Sequence, residues 1–215
     1  MDKLKKIYDL VNAKLGSQHT TNIAVADFNV IFCEVQIEFQ NELVQKRETS
    51  TQQDLMYPFK ELVEVPVVGG IAEYPDDYAD LLEAYHLVDG QMVSSKPHST
   101  HEIAKLESSC IRKADLGKKV AYHDKYKDGL HIYPTDAPNI NLVYYRCPKD
   151  VSLVSSYKES KKGDYRVINN GGIDMCWDRK AIPYLVQKIV MAYSLQLQDT
   201  SLYQKQGGIK PIVND

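Results

Sequence analysis

Three tight-turn signals constrain the fold of this chain more than any other feature. Each signal is a glycine-containing pair between two apolar or β-branched runs, namely Gly69-Gly70, Asp89-Gly90 and Asp128-Gly129. Such pairs favour two-residue hairpins, whose strands are adjacent and antiparallel. Because tight turns rather than helical crossovers join the strands, we expect an antiparallel sheet region and not a parallel, Rossmann-type sheet.

Helical periodicity predicts helices at both ends of the chain. Apolar residues at three- and four-residue spacing indicate one helix over 4–15, a stronger one over 24–46 and a last one that begins at Pro183. Proline at a first helical turn lacks an N–H group that would be unpaired there anyway. The second helix presents one apolar stripe, formed by Phe28, Ile31, Phe32, Val35, Phe39 and Leu43.

The predicted fold class is therefore α+β. We expect helices at both chain ends with an antiparallel, hairpin-rich β region between them. The whole chain, 1–215, is expected to form a single domain. Within it, 1–57 and 178–204 would be helical, 58–177 would be mainly β, and 205–215 would be a mobile C-terminal tail.

Two short helices are predicted inside the β region. Pro75-Asp76 is typical of a helix start, with Asp76 as the cap of a helix that continues to Leu82. Ser99 and Glu102 have the spacing of a capping box, in which each side chain accepts a hydrogen bond from the backbone N–H of the other residue.

Composition narrows the classes of partner. The 215 residues include 26 basic and 29 acidic side chains, and this net charge of -3 gives no electrostatic reason for sequence-independent nucleic-acid binding. No run approaches the roughly 20 apolar residues of a membrane span, so no membrane partner is expected. The four cysteines lack a Cys-x-x-Cys pair, so we expect isolated buried thiols at Cys33, Cys110, Cys147 and Cys176.

The nearest approach to a metal-binding motif is His98-x-x-His101-Glu102. It is not the His-Glu-x-x-His order that sets two imidazoles on one helical face, so a capped helix start is the preferred interpretation. Nothing in the sequence ties a nucleophile to a base or cradles a phosphate. We therefore predict no catalytic residue, no metal and no cofactor, and we keep a soluble metal-binding enzyme as the rival from another class.

A charged, glycine-containing excursion near residue 160 is a candidate DNA-proximal loop. Its basic side chains could contact a phosphate backbone, although charged loops are more often only solvated. The residues concerned are Lys158, Lys161, Lys162 and Arg166.

The C-terminal end offers a second candidate contact region. Its residues are mostly polar, but small apolar side chains and a proline could anchor an extended segment on a partner. The candidate partner-binding residues are Tyr203, Ile209, Lys210, Pro211, Ile212 and Val213.

The order of several further motifs resembles a known family. The motifs are the two N-terminal helices with their Phe stripe, Tyr74-Pro75-Asp76-Asp77-Tyr78, Leu130-His131-Ile132-Tyr133-Pro134, Val143-Tyr144-Tyr145-Arg146-Cys147-Pro148, Asp174, Trp177, and the Pro183 helix that leads to Asp199, Leu202, Tyr203 and Gln204. In this order they resemble the adaptor or ring proteins of the head-tail connector of short-tailed bacteriophages, above all those of crAss-like phages.

The resemblance implies a structural protein of the virion that catalyses nothing. It also implies one adaptor domain over 1–215, with a helical bundle from 1–57 and 178–204 and the antiparallel, hairpin-rich β region inserted between them. The C-terminal candidate residues would then bind the portal or a neighbouring subunit. Twelve copies would form a ring under the portal protein, join portal to tail, and surround genomic DNA that passes without sequence-specific binding. Other connector or tail proteins would be further partners, and assembly would take place in the host cytoplasm. Another tail component, a hub or muzzle subunit, is the nearer alternative.

Overall fold

The computed structural model describes residues 3–18, 22–46, 50–153, 155–159, 165–169 and 173–206. The chain divides into two compact units. The first, the terminal unit, comprises Met1–Pro58 and Pro148–Asp215, and the second, the barrel unit, comprises Phe59–Cys147.

The barrel unit contains seven strands and one α-helix. In chain order these are β1 (Lys60–Val68), β2 (Ile71–Ala72), β3 (Tyr78–Val88), β4 (Gln91–Pro97), α4 (Thr100–Glu107), β5 (Ala121–Lys125), β6 (Leu130–Tyr133) and β7 (Asn139–Arg146). The strands close into a barrel in the order β1-β2-β6-β5-β4-β3-β7. The three glycine turns join β1 to β2, β3 to β4 and β5 to β6, which confirms the predicted hairpin connections.

Strand β7 closes the barrel because it pairs antiparallel with both β1 and β3. Alternate residues of β7 then point to the barrel interior, as the period of two along a strand requires. Ile140, Leu142 and Tyr144 lie there in one buried apolar cluster with Leu81 of β3 and Leu130 of β6. This cluster is the core of the barrel unit.

The terminal unit combines helices with a small sheet. Its helices are α1 (Lys3–Gln18), α2 (Val25–Gln45), α3 (Ser50–Met56) and α5 (Ile182–Gln206), and its two strands, β8 (Ser155–Glu159) and β9 (Tyr165–Asn169), pair antiparallel. Helix α5 packs against α1 and α2. The predicted Phe stripe of α2 is buried, and Trp177, which precedes α5, is also fully buried.

The predicted fold, a helical bundle from both chain ends with an inserted antiparallel β region, is wrong. The observed fold is mixed α/β with a closed seven-stranded barrel. Strands β4 and β5 of that barrel pair in parallel. Helix α4 is the crossover that makes the parallel pair possible, because a tight turn cannot join parallel neighbours. The terminal unit also holds β8 and β9 beside its helices, so a helical bundle does not describe it.

Two local predictions are also wrong. The segment that follows Pro75-Asp76 continues as strand β3 instead of a helix, and Asp77 accepts a hydrogen bond from the Tyr144 hydroxyl at 2.9 Å. The four cysteines form no disulfide, but Cys110 and Cys147 are exposed, whereas Cys33 and Cys176 are half-buried.

Within the described residues, no helix combines the length and the apolar character that crossing a membrane requires.

The barrel unit begins at Phe59, close to the predicted start of the β region, and ends at Cys147 instead of 177. The interpretation of 1–215 as one adaptor domain stays a prediction.

Candidate interaction surface

Helix α5 begins as a core helix. Asp178 caps the turn before it by accepting a hydrogen bond from the Arg179 N–H at 2.6 Å, and Pro183 occupies the first turn of α5 as predicted. Four side chains of the first two turns are buried, namely Ile182, Leu185, Val186 and Ile189. We call residues 182–189 the proximal segment of α5.

Specific contacts fix this proximal segment to α2. The Phe39 ring lies 5.0 Å from the Trp177 ring and 6.0 Å from the Tyr184 ring, measured between centroids. The Lys188 Nζ donates to Glu42 Oε1 at 2.5 Å, close to the end of α2. The position of the helix is therefore set by its first two turns.

The next two turns of α5, residues 190–197, form the distal segment, and none of its side chains is buried. It is nevertheless apolar: Met191 is 64% exposed, Leu195 is 52% exposed, and Val190, Tyr193 and Leu197 are half-buried. Residues four apart share one helical face, so Met191 and Leu195 form one apolar patch. The sequence placed Val190, Tyr193 and Leu197 on one face with Leu185, Val186 and Ile189, but only the latter three are core.

Helix α2 also carries an exposed apolar face, formed by residues that do not belong to its buried stripe. Val30 is 59% exposed and Ile37 is 47% exposed, and a spacing of seven residues puts both on one side of the helix. The terminal unit thus presents two different apolar surfaces, one on α2 and one on the distal segment of α5.

The predicted partner-binding residues of the C-terminal end lie at or beyond the end of the described part of the chain. Tyr203 lies within α5, where only its backbone is described. Ile209, Lys210, Pro211, Ile212 and Val213 lie outside the described residues. Their role in binding a portal or a neighbouring subunit stays a prediction.

The candidate DNA-proximal loop is described in part. Lys158 of β8 and Arg166 of β9 are register partners in the two-stranded sheet, so their backbones are adjacent. Lys161 and Lys162 lie outside the described residues. Contact with DNA stays a prediction.

The His98, His101 and Glu102 region is a capped helix start, as preferred. Glu102 Oε2 accepts hydrogen bonds from the Ser99 N–H and hydroxyl, both at 3.0 Å, and lies 3.6 Å from His98 Nδ1. The bonds to Ser99, first the backbone one, lower the pKa of the Glu102 carboxyl. Across the described part of the chain, no three His, Cys, Asp or Glu side chains are grouped so that they could hold a metal ion.

Two of the buried polar residues of the barrel unit are histidines, His86 and His123. His86 lies two residues from the core residue Ala84, and His123 is the register partner of Ile132, so both side chains face inward. His86 Nδ1 is 2.9 Å from the Asn139 carbonyl oxygen, and His123 Nδ1 is 3.0 Å from Ser95 Oγ.

Burial lowers the pKa of His86. Burial, followed by the Lys125 charge, lowers the pKa of His123 to about 4. Both rings are therefore neutral packing residues at pH 7.

Comparison with known proteins adds no identity. No protein-family model matches the chain, and a search of curated proteins finds no match. The resemblance to connector proteins therefore depends on the ordered motifs of this sequence, and the function must be argued from its surfaces.

Proposed function

We propose that this chain is a structural subunit of a phage head-tail connector. In this proposal twelve copies form a ring that joins portal to tail and surrounds the DNA channel, and the virion is the site of action. The observation that carries the proposal is the exposed apolar surface of the distal segment of α5, where Met191 and Leu195 lie on one face.

Such a surface favours assembly for an energetic reason. Full burial of a Leu or Met side chain contributes about 1.5 to 3 kcal/mol, so the two side chains together can stabilise a subunit contact substantially. A helix that already packs on α1 and α2 can present the distal segment with little further loss of conformational entropy.

The second apolar surface, Val30 and Ile37 on α2, supports contact between copies of this chain. A closed ring needs heterologous contacts, in which one face of a subunit meets a different face of the next. Two unlike apolar surfaces on one unit meet that requirement, whereas a twofold dimer would need only one self-complementary surface.

The net charge is compatible with a channel through which DNA moves. Each copy carries a formal charge of -3, so a ring of this chain repels phosphates on average. Weak net repulsion lets a duplex slide, because no set of ion pairs has to break at each step.

Electron microscopy of the purified chain mixed with the portal protein of the same phage tests this proposal. We expect a ring with twelvefold symmetry beneath the portal. A copy number other than twelve would indicate that the chain is a hub or muzzle subunit and not a connector ring protein. A stable monomer absent from virions, or a twofold dimer that encloses a pocket, would overturn the virion role in favour of the enzyme alternative.

A further inference from the structure

A groove of about 450 Å³ runs along one side of helix α4 in the barrel unit. Its walls are formed by His98, Glu102, Lys105, Leu106, Ser109 and Arg112. Most of these residues are spaced three or four apart, so they follow one helical face and continue past the end of α4. All of them belong to the barrel unit.

The two cationic side chains of the groove, Lys105 and Arg112, are not in ion pairs with carboxylates of the described residues. By contrast, Lys118, Lys125 and Arg146 of the same unit each pair with a carboxylate. The groove is therefore more positive than the average surface of this acidic chain.

The one carboxylate in the groove is already engaged. Glu102 Oε2 accepts two hydrogen bonds from Ser99 and faces His98, so much of its charge is directed at the N-terminus of α4. Glu107, which follows in the helix, accepts from the Ala114 N–H at 3.0 Å and does not line the groove. Neither carboxylate neutralises Lys105 or Arg112.

The far end of the groove is held in place by hydrogen bonds. Ser109 Oγ accepts from the Arg112 N–H at 3.3 Å, and the Arg112 carbonyl accepts from the Tyr122 hydroxyl on β5 at 2.8 Å. In the part of the chain that is described, no acceptor takes the Ser109 hydroxyl proton, so that proton can be donated to a ligand. The Arg112 backbone is thus preorganised, which reduces the entropic cost of binding.

The length of the groove and its apolar residue Leu106 indicate which kind of ligand fits it. Helix α4 has eight residues and is about 12 Å long, which an extended peptide of about four residues spans. Leu106 supplies an apolar contact between the cationic side chains. A duplex backbone offers no aliphatic side chain that could pack on Leu106.

We propose that this groove binds a short acidic peptide segment of a partner protein. Carboxylates of the peptide bind Arg112, Lys105 and the Ser109 hydroxyl, and an aliphatic side chain between them packs on Leu106. Charge-assisted hydrogen bonds to Arg are the strongest of these contacts. The proposal does not depend on the ring, because it concerns the barrel unit and a different surface.

A fluorescent peptide, Asp-Glu-Leu-Asp-Glu with blocked ends, tests the site by fluorescence polarisation with the full chain. We expect saturable binding that weakens as NaCl rises from about 50 to about 500 mM, because the screening length becomes much shorter. The amide analogue, Asn-Gln-Leu-Asn-Gln, should bind at least about tenfold more weakly, since its charge-assisted bonds are lost. Replacement of the central Leu by Ser should also lower affinity.

Variants locate the binding. Arg112→Gln should lower affinity about tenfold and Lys105→Gln about threefold, while Lys113→Gln, an exposed neighbour outside the groove, should change it less than about twofold. All three positions are exposed, so thermal unfolding should stay unchanged. Absence of binding at about 1 mM peptide, equal binding of the amide analogue, or insensitivity to Arg112→Gln would overturn the proposal. Tighter binding of a twelve-nucleotide oligothymidylate, with the same residue dependence, would overturn it in favour of nucleic acid.

Discussion

The two segments of α5 have similar apolar content but opposite surroundings. The proximal segment buries Leu185, Val186 and Ile189, whereas the distal segment exposes Met191 and Leu195. Helical periodicity is the same in both, so it cannot distinguish a core face from an interaction surface. What differs is how far other parts of the chain cover that part of the helix, and this depends on packing between residues far apart in sequence.

Leucine-to-alanine substitutions give the sharpest test of this difference. Leu185→Ala should lower the free energy of unfolding by about 2 to 5 kcal/mol, because the side chain is fully buried and its removal leaves a cavity. Leu195→Ala should change it by less than about 0.5 kcal/mol, since the side chain is exposed. Urea unfolding of the two variants measures both values. Equal losses would mean that the distal segment is also core.

Histidine titration extends the comparison to the barrel. The folded-state pKa of His123 is about 4, below its unfolded value of about 6.5, so its contribution to stability is present above pH 6.5 and is lost as the pH falls to 4. The loss should be about 2 to 4 kcal/mol, because each unit of pKa difference is worth about 1.4 kcal/mol. His86 contributes in the same direction.

Urea unfolding at pH 7 and pH 4.5 measures this loss. His123→Gln should reduce the pH dependence of the unfolding free energy, while His101→Gln, an exposed matched variant, should leave it unchanged. An identical pH dependence in wild type and His123→Gln would contradict the assignment of His123 to the barrel interior.

Two glycines provide the pair with the smallest expected effect. Gly129 has φ +152°, and an added Cβ would lie 2.6 Å from the Ala72 carbonyl oxygen, so Gly129→Ala should cost about 1 to 3 kcal/mol. Gly90 has φ +74° with open space around it, so Gly90→Ala should show only backbone strain of about 1 kcal/mol. Thermal unfolding of both variants checks the order, and a larger loss at Gly90 would contradict the close approach of β2.

Local signals predicted several elements, although the fold built from them is wrong. Periodicity gave α2 nearly to its ends and the start of α5, the glycine pairs gave three hairpins, and Ser99 with Glu102 gave the start of α4. Each of these depends on residues close together in sequence. The carboxylate of Asp77, read as part of a helix start, instead binds the Tyr144 hydroxyl, a partner that no local pattern contains.

Barrel closure could not be predicted for the same reason. It depends on the pairing of β7 with β1 and β3, and of β4 with β5 across α4. The α4 groove could not be predicted from sequence either, because it is formed by the helix face from His98 to Ser109 together with Arg112, which lies beyond the end of the helix. Once α4 is known, the spacing of Lys105, Ser109 and Arg112 indicates that these side chains lie on one side.

The central claim is that the distal segment of α5 is an assembly surface and not a part of the core. Leu195→Glu places a carboxylate on that surface, and Ser94→Glu places one at an exposed position of β4 as a matched control. Negative-stain electron microscopy of each variant mixed with the portal protein gives the readout, with circular dichroism to verify folding. We predict that Leu195→Glu folds normally but forms no twelvefold ring, while Ser94→Glu assembles as wild type does. Normal ring formation by folded Leu195→Glu would contradict the account.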